Sequence, residues 1–156
     1  MPPLPSLPKA PAPFERTAPY PTPIDVSKFK KEADVKRAIR RIFDHYGWFH
    51  WMPAANGFGQ QGVSDHLALK DGVFVVVEAK FGTNKPRPTQ KAFAAQVLAN
   101  DAYAFCVTDR SIDHLVWFLD SFEAAVLAQR QGQPLPDEHG SRMLNAIAAL
   151  TEAFRA

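Results

Sequence analysis

Asp65, Glu78 and Lys80 are spaced so that one tight turn brings them to the same place. Asp71-Gly72 separates two strand-like runs, Ser64 to Lys70 and Val73 to Lys80, and is a strong signal for a two-residue hairpin. In such a hairpin Lys70 pairs with Val73, and counting back along both strands pairs Asp65 with Glu78. Their Cβ atoms are then expected roughly 4.5–5.5 Å apart on one face. Alternation places Lys80 on that face too, and Leu67, Leu69, Phe74 and Val76 extend it with apolar surface. Two carboxylates so placed repel, and burial adds a desolvation cost. A cation between them offsets both, and oxygen ligands favour a hard ion, Mg2+ or Mn2+. Such an ion polarises a phosphoryl oxygen and acidifies bound water, while a neighbouring ammonium orients that water or stabilises developing charge. The chemistry indicated is phosphodiester hydrolysis. A Glu-x-Lys in a strand is also an ordinary solvated pair, and an aspartate an ordinary loop cap, so the spacing alone leaves both readings open.

The elements that must position these groups follow from periodicity. A helix is predicted from about Ser27 to Tyr46, with Val35, Ile39, Ile42, Phe43 and Tyr46 at helical spacing and Gly47 ending it. On a helical wheel of about 100° per residue, Glu32 falls within the apolar arc. It either answers the helix dipole in the first turn or reaches the acid pair as a further ligand. Trp48 to Met52 is predicted as a strand, residues 54–62 as a glycine-containing loop, and residues 81–88 as a second loop. A helix over Thr89 to about Asn100 and a strand over Tyr103 to Thr108 come next. A helix from Ser111 to Gln131, broken near Asp120-Ser121, and a last helix from about Glu138 to Phe154 complete the chain. Met143, Ile147, Leu150 and Phe154 would line one face of the last helix, for packing within the monomer or across a dimer. The order predicts an α/β fold, a mixed central sheet flanked by helices.

The chain has 156 residues, enough for one domain with a real core. Residues 1–24 hold nine of the 14 prolines and are expected as a flexible arm, leaving 25–156 as a single domain with its C-terminal helices from about 111. Net charge is only +2, but seven of the 18 lysines and arginines lie between Lys28 and Arg41. That cluster, with Lys36, Arg37, Arg40 and Arg41 on the first helix, is either a nucleic-acid footprint or a solvated face. The single cysteine, Cys106, excludes an internal disulfide and sits in an apolar run as a small buried hydrophobe. No stretch has the length of a membrane span, and no signal peptide is apparent, so a reducing, cytoplasmic setting is expected.

Gly62-Val63-Ser64-Asp65, then Glu78-Ala79-Lys80, then Gln90 resembles the PD-(D/E)XK nucleases, and more narrowly the virus-type replication-repair nuclease (VRR-NUC) domain. The resemblance spans about Glu32 to Asp109. It implies a restriction-endonuclease-like core and Mg2+ or Mn2+ held by Asp65 and Glu78, with the Ala79 carbonyl as an extra ligand. It further implies catalysis assisted by Lys80, support from Gln90, and Glu32 as the acid of the first helix. The proline usual before the aspartate is Ser64 here. Small stand-alone members imply a homodimer acting on branched or Holliday-junction-like DNA in replication, repair or recombination, in a bacterial or phage-infected cell. A nucleic-acid-binding module of the same fold that does not cut is the alternative.

Other residues add less. His45, His50, His66 and His114 form no H-x3-H pair, and His66 is predicted to point away from Asp65. Ser64, Asp65 and His66 cannot converge as a hydrolase triad because they are adjacent in a strand. Asn56 and Gln60 in the glycine-containing loop are candidates to touch a DNA backbone. Lys85 and Arg87 either neutralise phosphates near the site or form a solvated basic loop. Trp48 and Trp51 are expected in the core.

Overall fold

Asp71 and Gly72 carry positive φ angles of 49° and 79°, as a two-residue turn matched to strand twist requires. They join β2 (His66–Lys70) to β3 (Val73–Ala79) in the predicted register, Lys70 opposite Val73 and His66 opposite Val77. In this computed structural model, which describes residues 16–54 and 59–155, α1 (Glu32–His45) and β1 (Phe49–Trp51) precede the hairpin. The chain continues with α2 (Pro88–Ala99), β4 (Tyr103–Val107), α3 (Ile112–Arg130) and α4 (Asp137–Arg155). Among the described residues the fold is α/β, with four helices around a four-stranded mixed sheet ordered β1-β2-β3-β4. β1, β2 and β3 are antiparallel, and β3 pairs with β4 in parallel through the α2 crossover. Among the described residues no helix is long and apolar enough to cross a membrane.

Strand alternation divides the sheet into two chemically distinct faces. His66, Ala68, Val75, Val77 and Ala79 face the main core, with Phe105 and Val107 from β4. Val35, Ile39, Ile42 and Phe43 of α1, all 0 % exposed, pack into that core with Leu115, Phe118 and Leu119 of α3. Burying each such side chain contributes roughly 1.5–3 kcal/mol. That burial holds α1 in place, since a helix of 14 residues is marginal in isolation. On the other face Val76 and Ala104 meet Ala94 of α2, with Leu67, Phe74, Phe93, Val97 and Phe154 around them. Asp65 and Glu78 belong to this second face by register.

Several predicted boundaries shift where tertiary partners intervene. α1 begins at Glu32 rather than near Ser27. Asp34 Oδ2 accepts the N–H groups of Lys30 and Lys31 at 2.9 and 3.1 Å, which satisfies donors at that end, and Asp25 holds Ser27 in a turn. α3 is continuous through Asp120 and Ser121, because Asp120 pairs with Arg16 at 2.9 Å and Ser121 is buried against His139. Residues 16–24 lie against the domain instead of forming a free arm: Tyr20 and Ile24 pack on the core. The Tyr20 N–H donates to the Tyr46 hydroxyl, and the Ile24 N–H to Asp113. Residues 1–15 of the expected arm lie outside the described residues. Trp48 is buried, but Trp51, on edge strand β1, is 40 % exposed and not in the core. Met143, Ile147 and Leu150 of α4 pack on the main core of the same chain.

Gly62 fixes how the chain enters β2. Its φ is +78°, and a Cβ there would stand 2.1 Å from the Thr89 carbonyl oxygen at the start of α2. The Gly62→Ala variant is expected to lose about 1–3 kcal/mol from backbone strain alone, with the collision adding to it. Urea unfolding monitored by tryptophan fluorescence measures this; an unchanged midpoint would show that the loop relaxes without cost.

Candidate functional site

The pair that follows His66 and Val77 in the β2–β3 register is Asp65 with Glu78. Asp65 sits just before β2, and its Oδ2 accepts the Ala79 N–H at 2.9 Å, which ties it to the end of β3. Asp65 Oδ1 lies 3.2 Å from Lys36 Nζ, and the same ammonium is 3.2 Å from Glu32 Oε1, one turn back on α1. Glu78 is 1 % exposed. Its Oε1 accepts a 2.7 Å hydrogen bond from Gln90 Nε2 and lies 3.2 Å from Lys80 Nζ. Its Oε2 is buried with no hydrogen-bond partner.

Local helix chemistry orients Gln90. Pro88 occupies the first turn of α2, and Gln90 Oε1 accepts the Arg87 N–H at 2.8 Å, the return half of a capping box. With its oxygen thus committed, the amide must present Nε2 to Glu78. Lys80 lies just beyond β3, yet its N–H donates to the Val107 carbonyl at 3.0 Å and keeps the backbone on the ladder. The Lys80 side chain is only 11 % exposed, so its pairing with Glu78 is shielded from solvent.

Burial raises the Glu78 pKa from 4.5 to about 7; the Asp65 anion adds to the rise by its charge and by a hydrogen bond from the protonated carboxyl, and Lys80 opposes it. Lys36 loses solvation, but Asp65 and Glu32 more than compensate and raise its pKa. On the opposite face His66 is 0 % exposed, neither ring nitrogen has a hydrogen bond, and burial lowers its pKa to about 4. His66 therefore packs away from Asp65, as alternation requires.

The structure brings Asp65, Glu78, Lys80 and Gln90 together, with the Ala79 backbone between the two acids. Glu32 does not join them as a third ligand. It is tied to Lys36, and among the described residues no group of three or more acids, histidines or cysteines gathers closely enough to hold a metal. The i,i+4 pairing with Lys36 on one helix face outcompetes a longer reach to the pair. Lys36, expected as a nucleic-acid contact, lies within the acid cluster. A cleft of about 620 Å3 opens over the site and is lined by Lys36, Asp65 and Gln90 together with Arg87 and Gln60. Lys85 does not line it; it borders a separate depression with Cys106 and Arg110. Arg40 and Arg41 are exposed on α1, and Arg37 is paired with Asp34 at 3.0 Å. Asn56 lies outside the described residues.

Sequence reasoning missed two neighbours. Lys36 was visible as a partner for Glu32 at helical spacing, but its reach to Asp65 depends on where α1 docks. Cys106 stands beside Glu78 in the parallel β3–β4 register, and burial, reinforced by Glu78, pushes its thiol up to about 11. The paired oxygens are hard donors, and two facing carboxyl groups that share a proton have the chemistry to take a divalent cation in its place. Comparison with models of known protein families finds no match, and comparison with curated proteins finds none either.

The raised Glu78 pKa has a definite sign in stability. Its contribution is fully present below pH 4.5 and is lost as pH rises through about 7. His66 acts oppositely: its contribution is present above pH 6.5 and lost as pH falls toward about 4. Comparing wild type with Glu78→Gln isolates the first effect. Without divalent ions, the wild type should lose on the order of 1–3 kcal/mol relative to the variant as pH rises from about 4.5 to about 7. Thermal melts of both proteins across that range test it, and a flat difference would remove the raised pKa.

Proposed function

We propose that the protein is a Mg2+- or Mn2+-dependent DNA endonuclease with a restriction-endonuclease-like core of the VRR-NUC kind. The observation that carries this reading is the division of labour among the carboxylate oxygens. One oxygen of Glu78 is anchored by Gln90 and Lys80, and the other is buried without a donor, so the carboxyl group is left to share a proton with Asp65. Asp65, its register partner, is anchored to the backbone at Ala79. A buried acid oxygen is costly when unsatisfied, and a hard cation shared with Asp65 satisfies it. The D…E-x-K spacing and Gln90 support the same reading through their resemblance to the family.

A divalent ion bound by Asp65 and Glu78 would polarise a phosphoryl oxygen and lower the pKa of bound water. This chain's own groups do the rest. Lys80 Nζ, held against Glu78, is placed to orient a water by hydrogen bonding and to stabilise negative charge on the phosphoryl group. Gln90 keeps Glu78 Oε1 fixed and leaves Oε2 for the ion. Arg87, in the wall of the cleft, and Arg40, one helical turn beyond Lys36, offer positive charge to the flanking phosphates. The resemblance extends the proposal to a homodimer, two sites acting on branched or Holliday-junction-like DNA during replication, repair or recombination, in the cytoplasm.

A panel of single-stranded, duplex, flap and four-way DNA substrates with Mg2+, Mn2+ or Ca2+ tests this. Cleavage should require Mg2+ or Mn2+ and stop with chelator. Lys80→Ala should lose about 10²-fold or more in rate while still binding DNA. Cleavage at the wild-type rate by that variant would remove the role given to Lys80. Salt-sensitive DNA binding with neither turnover nor Mn2+ uptake would favour a non-cleaving module on the same fold.

A further inference from the structure

Among the four oxygens of Asp65 and Glu78, three meet nitrogen donors and Glu78 Oε2 meets none, while the two carboxyl groups also share a hydrogen bond when Glu78 is protonated. Two of those partners are rigidly set: the Ala79 N–H on Asp65 Oδ2 belongs to the sheet, and Gln90 on Glu78 Oε1 is locked by its cap at Arg87. Asp65 Oδ1 is different. It is covered by Lys36, a long side chain from another element that is 28 % exposed and shares its ammonium with Glu32. A divalent ion shared by the pair would replace the proton that links the two carboxyl groups, and would also meet an ammonium on Asp65 Oδ1. Two cations on one carboxylate oxygen repel strongly at this range.

We propose that Lys36 is the resident counter-ion of Asp65, and that a divalent cation binds only by displacing its ammonium from Asp65 Oδ1. This rests on the metal-dependent reading above. Lys36 neutralises the acid cluster in the metal-free protein and sets the cation concentration at which the site fills. Lys80 cannot play the same part, because it approaches the oxygen of Glu78 that Gln90 already holds. Once displaced, the Lys36 ammonium keeps Glu32 as a partner and remains in the wall of the cleft, where an incoming phosphate would meet it.

Isothermal titration of the full chain with Mn2+ alone tests this without any cleavage assay. Lys36→Met keeps the aliphatic stem and removes the charge, and should bind Mn2+ at least about tenfold more tightly. Lys36→Arg keeps the charge and should stay near wild type. A merely structural role would give weaker binding in both variants. Reductive methylation of the wild-type protein supplies a readout that needs no variant: saturating Mn2+ should increase labelling of Lys36. Equal Mn2+ affinity in wild type and Lys36→Met, or labelling unchanged at saturation, would overturn the competition and leave the nuclease reading standing. No Mn2+ binding by either protein would overturn both.

Discussion

The β2–β3 register sets Asp65 opposite Glu78, and α2 then closes over Glu78 until almost none of it meets solvent. Two carboxylates confined in this way repel each other and lose hydration together, and the local structure is organised around that cost. A sheet amide holds one acid, and a side-chain amide and an ammonium hold the other. These donors leave Glu78 Oε2 without one, and the Glu78 carboxyl turns to Asp65 for a shared proton. A fold selected for stability alone would put an apolar residue there, since a half-satisfied buried polar group destabilises. Near neutral pH the two carboxyl groups meet that cost by sharing a proton, and the proposed metal would take the proton's place.

Each element around the pair has a structural task and a chemical one. α1 is anchored by four fully buried apolar side chains, and this docking carries Lys36 to the mouth of β2. α2 covers the second apolar face, and its capping residue is also the group that fixes Glu78. Gly62 permits the approach of the β2 entry loop to α2 that encloses the cleft between them. Glu78 and Gln90 stand within β3 and α2, while Asp65 and Lys80, just outside the strands, are tied to the sheet by the Ala79 N–H and the Val107 carbonyl.

The sheet register was legible because it is a local matter. Asp71-Gly72 admits positive φ at both positions, which selects the hairpin turn and with it every cross-strand pair back to residue 65. The type and order of the elements were legible from apolar periodicity. Less so were their ends. Asp34 and Asp25 shortened α1, and partners on Arg16 and His139 carried α3 through Asp120-Ser121, where local propensity suggested a break. Trp51 was expected in the core, but β1 is an edge strand and Trp51 is exposed there.

The sequence by itself determined which acids face each other, because a two-residue turn leaves no freedom of register. It also determined that Gln90 opens a helix beyond them. Tertiary structure alone decided which cation stands beside each acid. Glu32 and Lys36 share a helix face, so their pairing could be read from spacing, but only the docking angle of α1 turns that ammonium onto Asp65 and holds Glu32 apart from the pair. Long side chains choose partners by position in three dimensions, and that choice depends on how helices pack rather than on how far apart residues lie along the chain.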